Sequence, residues 1–158
     1  MTRRPIKAGA GGFWNVIDER PDDSVERQLT PYSCVAAVGA MLLATHGITV
    51  TQSEIIDIIG EASSVEQLAV FLNTAHVNEA KIWRGGYIQS EDFTKAALTG
   101  QFAVVFREES PLGHMVLVNE VTDDLVFISD PWQGTRYAMS MSEFIRVWDR
   151  GTVFYGTY

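Results

Sequence analysis

Cysteine is almost absent, with Cys34 the single one in 158 residues, so no internal disulfide can form. None is needed, because a chain of this length buries roughly 70% of its unfolded surface without a staple or a metal. Long apolar runs are missing too. Nothing approaches the ~20 consecutive apolar residues of a membrane helix, and Ala8 to Gly12, after Arg3, Arg4 and Lys7, is too short and small-residued for the core of a signal peptide. Positive charge is scarce: 12 Lys and Arg against 20 Asp and Glu give a formal net charge of -8, which repels nucleic acid and anionic membrane as main partners. There is no Gly-x4-Gly-Lys-Ser/Thr loop to cradle a nucleotide phosphate, and no cofactor is expected. A free thiol survives best under reducing conditions, so without a secretion signal the expected location is the cytoplasm.

What is present fits one globular unit, with 46% hydrophobic and 20% charged residues. Residues 1–24 are expected to form an N-terminal arm and residues 25–158 the folded domain. The arm begins basic, turns Gly/Ala-rich through Gly11-Gly12, and is pinned to the body by Phe13, Trp14, Val16 and Ile17. Cys34 to His46 is apolar nearly all round and closed by Gly47, which predicts a buried central helix, with Pro31 near its start and Ser33 able to cap it. Capping-box spacings at Thr51/Glu54, Ser63/Glu66 and Ser140/Glu143 announce further helices, the last over Met139 to Trp148, and Ser90 to Leu98 reads as another helix stopped by Gly100. Short Val/Ile/Phe-rich runs at Phe102 to Phe106, His114 to Val121 and Leu125 to Ile128, with shorter ones at Lys81 to Trp83 and Thr152 to Tyr155, predict a largely antiparallel sheet. Helices first and sheet second is an α+β arrangement.

The chemistry centres on Cys34. A thiol at a helix N-terminus faces unpaired N-H groups and the positive end of the helix dipole, both of which favour a thiolate. Gln28, six positions earlier in the approaching loop, could donate its amide N-H, with the Cys34 backbone N-H, to an oxyanion. His114 opens an apolar strand after the loop Glu108 to Gly113, and Asp130 closes the next strand, where it could fix the far nitrogen of the ring. His46 and His76 are poorer bases, each read as a cation at a helix C-terminus. Strand parity constrains the set. A two-residue turn at Asp123-Asp124 would put His114 and Asp130 on opposite faces, whereas a three-residue loop from Thr122 to Asp124 places Asp130 opposite Val116 and diagonal to His114, and a bulge serves equally well. Trp132 and Tyr32 are candidates for groove walls.

The order Gln28, Cys34, His114, Asp130, with Asp-Pro-Trp-Gln-Gly after a strand and then a helix carrying Glu143, Phe144 and Trp148, resembles the bacteriocin-processing peptidases. These are papain-like cysteine enzymes that cleave leader peptides after paired glycines. The resemblance implies a papain-like fold with a helical N-terminal half, its central nucleophile helix packed on the C-terminal sheet. It also implies Cys34 as nucleophile, His114 as base and acid, Asp130 as its orienter and Gln28 as oxyanion donor, acting on a peptide or protein through an acyl-thioester. Ser33 and Val35 stand where that family has Asp and Gly. Glutamine deamidation or transglutaminase-type transfer would use the same thioester, and an inactive peptide-binding module is the reading without catalysis. Gly11-Gly12 reads as arm glycine rather than a self-cleavage site. The sequence does not fix the oligomeric state.

Overall fold

The computed structural model describes residues 6–8, 12–107 and 113–157, with side chains from Trp14 onward. Gly11 of the glycine pair and Glu108 to Leu112 of the loop before His114 lie outside the described residues. A two-stranded hairpin of β1 (Ile6–Ala8) and β2 (Gly12–Trp14) leads into β3 (Ile17–Pro21). Three helices follow, α1 (Cys34–Ala44), α2 (Gln52–Ile59) and α3 (Val65–Ala75), then β4 (Lys81–Tyr87), a 3-10 turn and α4 (Phe93–Ala97). The chain continues through β5 (Phe102–Phe106), β6 (His114–Val121), β7 (Leu125–Asp130), β8 (Thr135–Ser140), α5 (Met141–Val147) and β9 (Trp148–Thr157). Seven strands form one antiparallel sheet in the order β3-β8-β7-β6-β5-β9-β4. The α+β architecture expected from the sequence is therefore present.

Each face of the sheet carries its own core. On one, α1 with α2 and α3 covers Ala103, Met115, Leu117 and Val153. Ten of the eleven residues of α1 are buried, which explains why its sequence is apolar nearly all round rather than striped. On the other face, Trp14, Phe93, Phe106, Phe144 and Trp148 pack on Val104, Val116 and Val118.

Several expectations need correction. The segment assigned to an arm up to residue 24 is partly built into the body: Trp14 is fully buried, and β3 pairs with β8 at the edge of the sheet. Ser33 does not cap α1, because its hydroxyl is engaged within the preceding turn, accepting from Thr30 N-H (2.9 Å) and donating to Thr30 C=O (3.2 Å). The N-cap of α3 is Ser64 with Gln67, one residue beyond the pair the spacing suggested. The helix expected from Met139 starts at Met141, because Thr135 to Ser140 forms β8. Trp148 begins the long last strand rather than ending that helix. His76 caps the end of α3 as expected, but its ring and that of His46 lie 4.7 Å apart in a cluster with Trp83 and Tyr155. Burial, then His76 and Lys81, push the His46 pKa down, so its neutral form is favoured.

The hairpin of β6 and β7 settles the parity question by a bulge. Near the tip Val121 faces Val126 and Glu120 faces Phe127, while further along Val118 faces Ile128 and Leu117 faces Ser129. Asn119 is the extra residue, held by Gln101 Nε2 (3.1 Å) and by its own Nδ2 on Ser129 Oγ (2.8 Å). One inserted residue flips the register, so His114 and Asp130 share a face.

Where α3 starts it crosses β4 at Gly85, and a Cβ there would run into the Val65 carbonyl. That carbonyl belongs to the first turn of α3 and cannot rotate away. Gly85→Ala is expected to cost roughly 1–3 kcal/mol of unfolding free energy by overpacking. Gly86→Ala, whose Cβ would meet nothing within 4 Å, should stay within about 0.5 kcal/mol of the parent. Urea denaturation of the two variants checks this, and equal midpoints would refute the close approach.

Candidate active site

Because β6 and β7 are antiparallel, the beginning of one lies beside the end of the other. His114 is the first residue of β6 and Asp130 the last of β7, so the ring and the carboxylate meet at one end of the sheet. Gly113, with φ of 67°, delivers the chain into β6, and a Cβ there would lie 2.9 Å from Val105 Cγ1. Glycine suits both the left-handed backbone and the tight contact.

His114 Nε2 lies 2.8 Å from Asp130 Oδ1, and both side chains are essentially without solvent exposure. The carboxylate is well satisfied: Oδ1 also accepts the Trp132 backbone N-H (3.0 Å), and Oδ2 accepts the Tyr137 hydroxyl (2.8 Å). The other ring nitrogen, Nδ1, is buried and makes no hydrogen bond. Cys34 is nevertheless among the groups that raise the His114 pKa, so its side chain lies near the ring. Nδ1 makes no hydrogen bond to the sulfur, and catalytic hydrogen bonds often tighten only once substrate binds. Burial is the largest influence on His114 and pulls its pKa down. The charge and hydrogen bond of Asp130, followed by Cys34, more than reverse that and raise it from 6.5 to about 10.

Cys34 opens α1 and is buried. It lines a cleft of about 140 Å³ together with Val35, Ser63, Ser64, Val65, Tyr87, Val105, Gly113, Met115 and Asp149. Ser33 leaves α1 without a side-chain cap, so the N-H groups of its first turn are open to other acceptors among the described residues or to a ligand. Gln28 is also buried. Its backbone N-H donates to Pro131 C=O (2.7 Å), which ties its loop to the chain just beyond Asp130. Its side-chain Nε2 donates to Thr30 C=O (2.9 Å). An amide nitrogen carries two N-H groups, of which Thr30 takes one; Gln28 is not among the residues lining the cleft at Cys34.

Two residues of this site were missed from the sequence. Tyr137 in β8 holds Asp130 from the far side, and Trp14 Nε1 donates to the Tyr137 hydroxyl (3.1 Å). Trp14 also stacks on His114, ring centroids 6.2 Å apart. Burial first, then Asp130, push the Tyr137 pKa far up, so the phenol stays protonated and donates. No local pattern marks a contact between residues so distant in the chain. Trp132 contributes its backbone N-H to the site, Tyr32 is 56% exposed, and neither lines the cleft at Cys34. Among the described residues no group of three or more His, Cys, Asp or Glu could hold a metal ion.

Comparison with known proteins agrees with this architecture. The curated "Cysteine protease effector 1" of Escherichia coli O1:K1:H7 is 40% identical over 152 residues, covering 94% of this chain and 30% of that protein. The chain therefore spans under a third of that relative's length. Two solved structures share the fold at low identity. The peptidase domain of Streptococcus ComA, a bi-functional ABC transporter involved in a quorum sensing pathway, has a TM-score of 0.69 at 18% identity, covering 84% of this chain and 97% of that one. A double glycine motif protease from an AMS/PCAT transporter, solved with its leader peptide, has a TM-score of 0.66 at 17% identity, covering 99% and 100%. The sequence profile of the peptidase C39 family matches residues 22–156, and the chain belongs to that family of cysteine peptidases.

Proposed function

We propose that the chain cleaves peptide or protein substrates with Cys34 as nucleophile, His114 as base and acid, Asp130 as the group that orients it, and Gln28 as an oxyanion donor. The observation that carries this reading is the His114 ring, held through Nε2 by Asp130 at 2.8 Å, with the one cysteine, which also raises that ring's pKa, lining a cleft at the start of α1. In the acylation step the proton already sits on His114, and the Cys34 sulfur, as thiolate, attacks the carbonyl carbon of the scissile amide. Negative charge collects on the carbonyl oxygen, where the Cys34 backbone N-H and the second N-H of Gln28 Nε2 would receive it. The C-N bond then breaks as His114 gives that proton to the leaving amine, leaving a thioester. Water, deprotonated by the now neutral His114, hydrolyses the thioester, and the sulfur leaves as thiolate beside the reprotonated ring.

Asp130 keeps this cycle in register by holding Nε2, which leaves Nδ1 for the sulfur. A peptide substrate is in keeping with the leader peptide bound to the AMS/PCAT domain, and the name of the Escherichia coli relative, a protease effector, fits the same chemistry. Among the described residues no helix is long and apolar enough to cross a membrane.

Three outcomes test the reading. Cys34→Ala should abolish both cleavage of a peptide library and labelling by iodoacetamide, with an unchanged melting curve. Turnover by that variant, or intact chains in which a glutamine amide has become an acid, would overturn it.

Because the folded-state pKa of His114 is raised, the stability it contributes is fully present below 6.5 and is lost as pH rises through about 10. The unfolding free-energy difference between the parent and His114→Gln should accordingly shrink across that window. In an NMR titration the His114 ring should remain protonated through neutral pH, and a midpoint near 6.5 would contradict the ion-pair assignment.

Tyr137→Phe removes a hydrogen bond to a buried carboxylate and leaves Trp14 Nε1 without its acceptor. It should cost about 1.5–3 kcal/mol of stability and lower kcat more than it raises KM. An unchanged kcat would take Tyr137 out of the site.

A further inference from the structure

Gln28 can serve an oxyanion only if its side chain leaves the backbone in one direction, and that direction depends on φ and ψ at residue 28. The two peptide units that set these angles are both anchored to a single side chain, that of Gln52. Gln52 is the first residue of α2 and is 3% exposed. Its Oε1 accepts the Leu29 backbone N-H (3.1 Å), and its Nε2 donates to the Arg27 C=O (2.7 Å) and to Glu26 Oε1 (3.3 Å). The Arg27 carbonyl belongs to the peptide unit before the Gln28 Cα, and the Leu29 N-H to the unit after it. The first unit is held on its opposite edge as well, by the Gln28 N-H on Pro131 C=O.

We propose that Gln52 is a positioning residue for catalysis, acting through Gln28. The inference rests on the reading of Gln28 as oxyanion donor. An amide suits the task because donor and acceptor lie in one rigid plane, and only one orientation serves both neighbours: a flipped amide would set its NH2 against the Leu29 N-H and its oxygen against the Arg27 carbonyl. Glutamate could keep the acceptor but would lose both donors, and leucine would lose everything but the volume. Gln52 is placed by α2, whose first turn is fixed by Thr51 accepting the Glu54 N-H, and whose Ile55 is buried with α1 and α3. The helical layer therefore sets the loop that faces the substrate as well as carrying Cys34.

A role confined to holding the loop together would lower stability without touching the chemical step selectively. The test compares Gln52→Leu, Gln28→Ala and the double variant in the intact chain. The substrate is a quenched-fluorescence peptide built on a cleavage site mapped with the peptide library, and iodoacetamide alkylation of Cys34 is measured in parallel. Gln28→Ala should lower kcat by about 100-fold or more, the cost of one oxyanion donor. Gln52→Leu should lower kcat by roughly 10- to 100-fold through misplacement, with little change in KM. Alkylation, which develops no oxyanion, should be unaffected, and the double variant should be no slower than Gln28→Ala alone. If the two losses multiply, or alkylation falls in step with kcat, Gln52 does not act through Gln28. Should Gln52→Leu fail to fold, Gln52→Glu serves instead, with a smaller loss of kcat expected and parental kcat overturning the inference. A Gln28→Ala protein with parental kcat would remove the oxyanion reading itself, an outcome distinct from an active Gln52→Leu beside a crippled Gln28→Ala.

Discussion

A buried pair, the imidazole of His114 and the carboxylate of Asp130, is the interaction around which this molecule is arranged. Two ionisable groups out of water are costly unless every lone pair and proton is matched. Here the matching is thorough on one side and open on the other: Asp130 accepts from a ring nitrogen, a backbone N-H and a phenol, while Nδ1 of the ring is buried without a hydrogen-bond partner. The register bulge at Asn119, the left-handed Gly113 and the burial of Trp14 all serve to put those two side chains on one face at one end of the sheet.

The division of labour between halves follows from the same constraint. The sheet supplies ring and carboxylate, because antiparallel neighbours bring the start of one strand to the end of the next. The helical layer supplies the sulfur, because a helix start is where backbone N-H groups point outward together. The loop of residues 26–33 joins the two, bonded to Pro131 on the sheet side and to Gln52 on the helical side. The cleft at Cys34 accordingly draws its walls from both layers, with Ser64 and Val65 from the start of α3 and Val105 and Met115 from the sheet.

Much of this was legible in the sequence because its signals are local. The apolar run ending at Gly47 and the Val-rich strands can each be read within a short window, and the order of Cys34, His114 and Asp130 was legible through its resemblance to the bacteriocin-processing peptidases. The hairpin arithmetic showed that a plain two-residue turn could not bring His114 and Asp130 together, and the structure resolves it with a bulge. What was not legible is long-range or ambiguous. Trp14 and Tyr137 meet across most of the chain, and nothing near either residue announces the other. Thr135 to Ser140 is a strand running directly into a helix cap, so the capping signal at Ser140 drew its last residues into the predicted helix. Adjacent hydroxyls at Ser63 and Ser64 offer two N-caps with equal local merit, and only the packing of α3 on β4 chooses between them. At Ser33 the same propensity argument failed because Thr30 offered the hydroxyl both a donor and an acceptor.

That unused cap ties stability to function. A well-placed N-cap is worth about 1 kcal/mol to a helix, and α1 forgoes it at the turn that carries Cys34. Rebuilding the approach so that a side chain closed the N-H groups of the first turn would strengthen the central helix at the end that carries Cys34. Selection for thermal robustness alone would therefore act at this helix start, which stands bare of a side-chain cap.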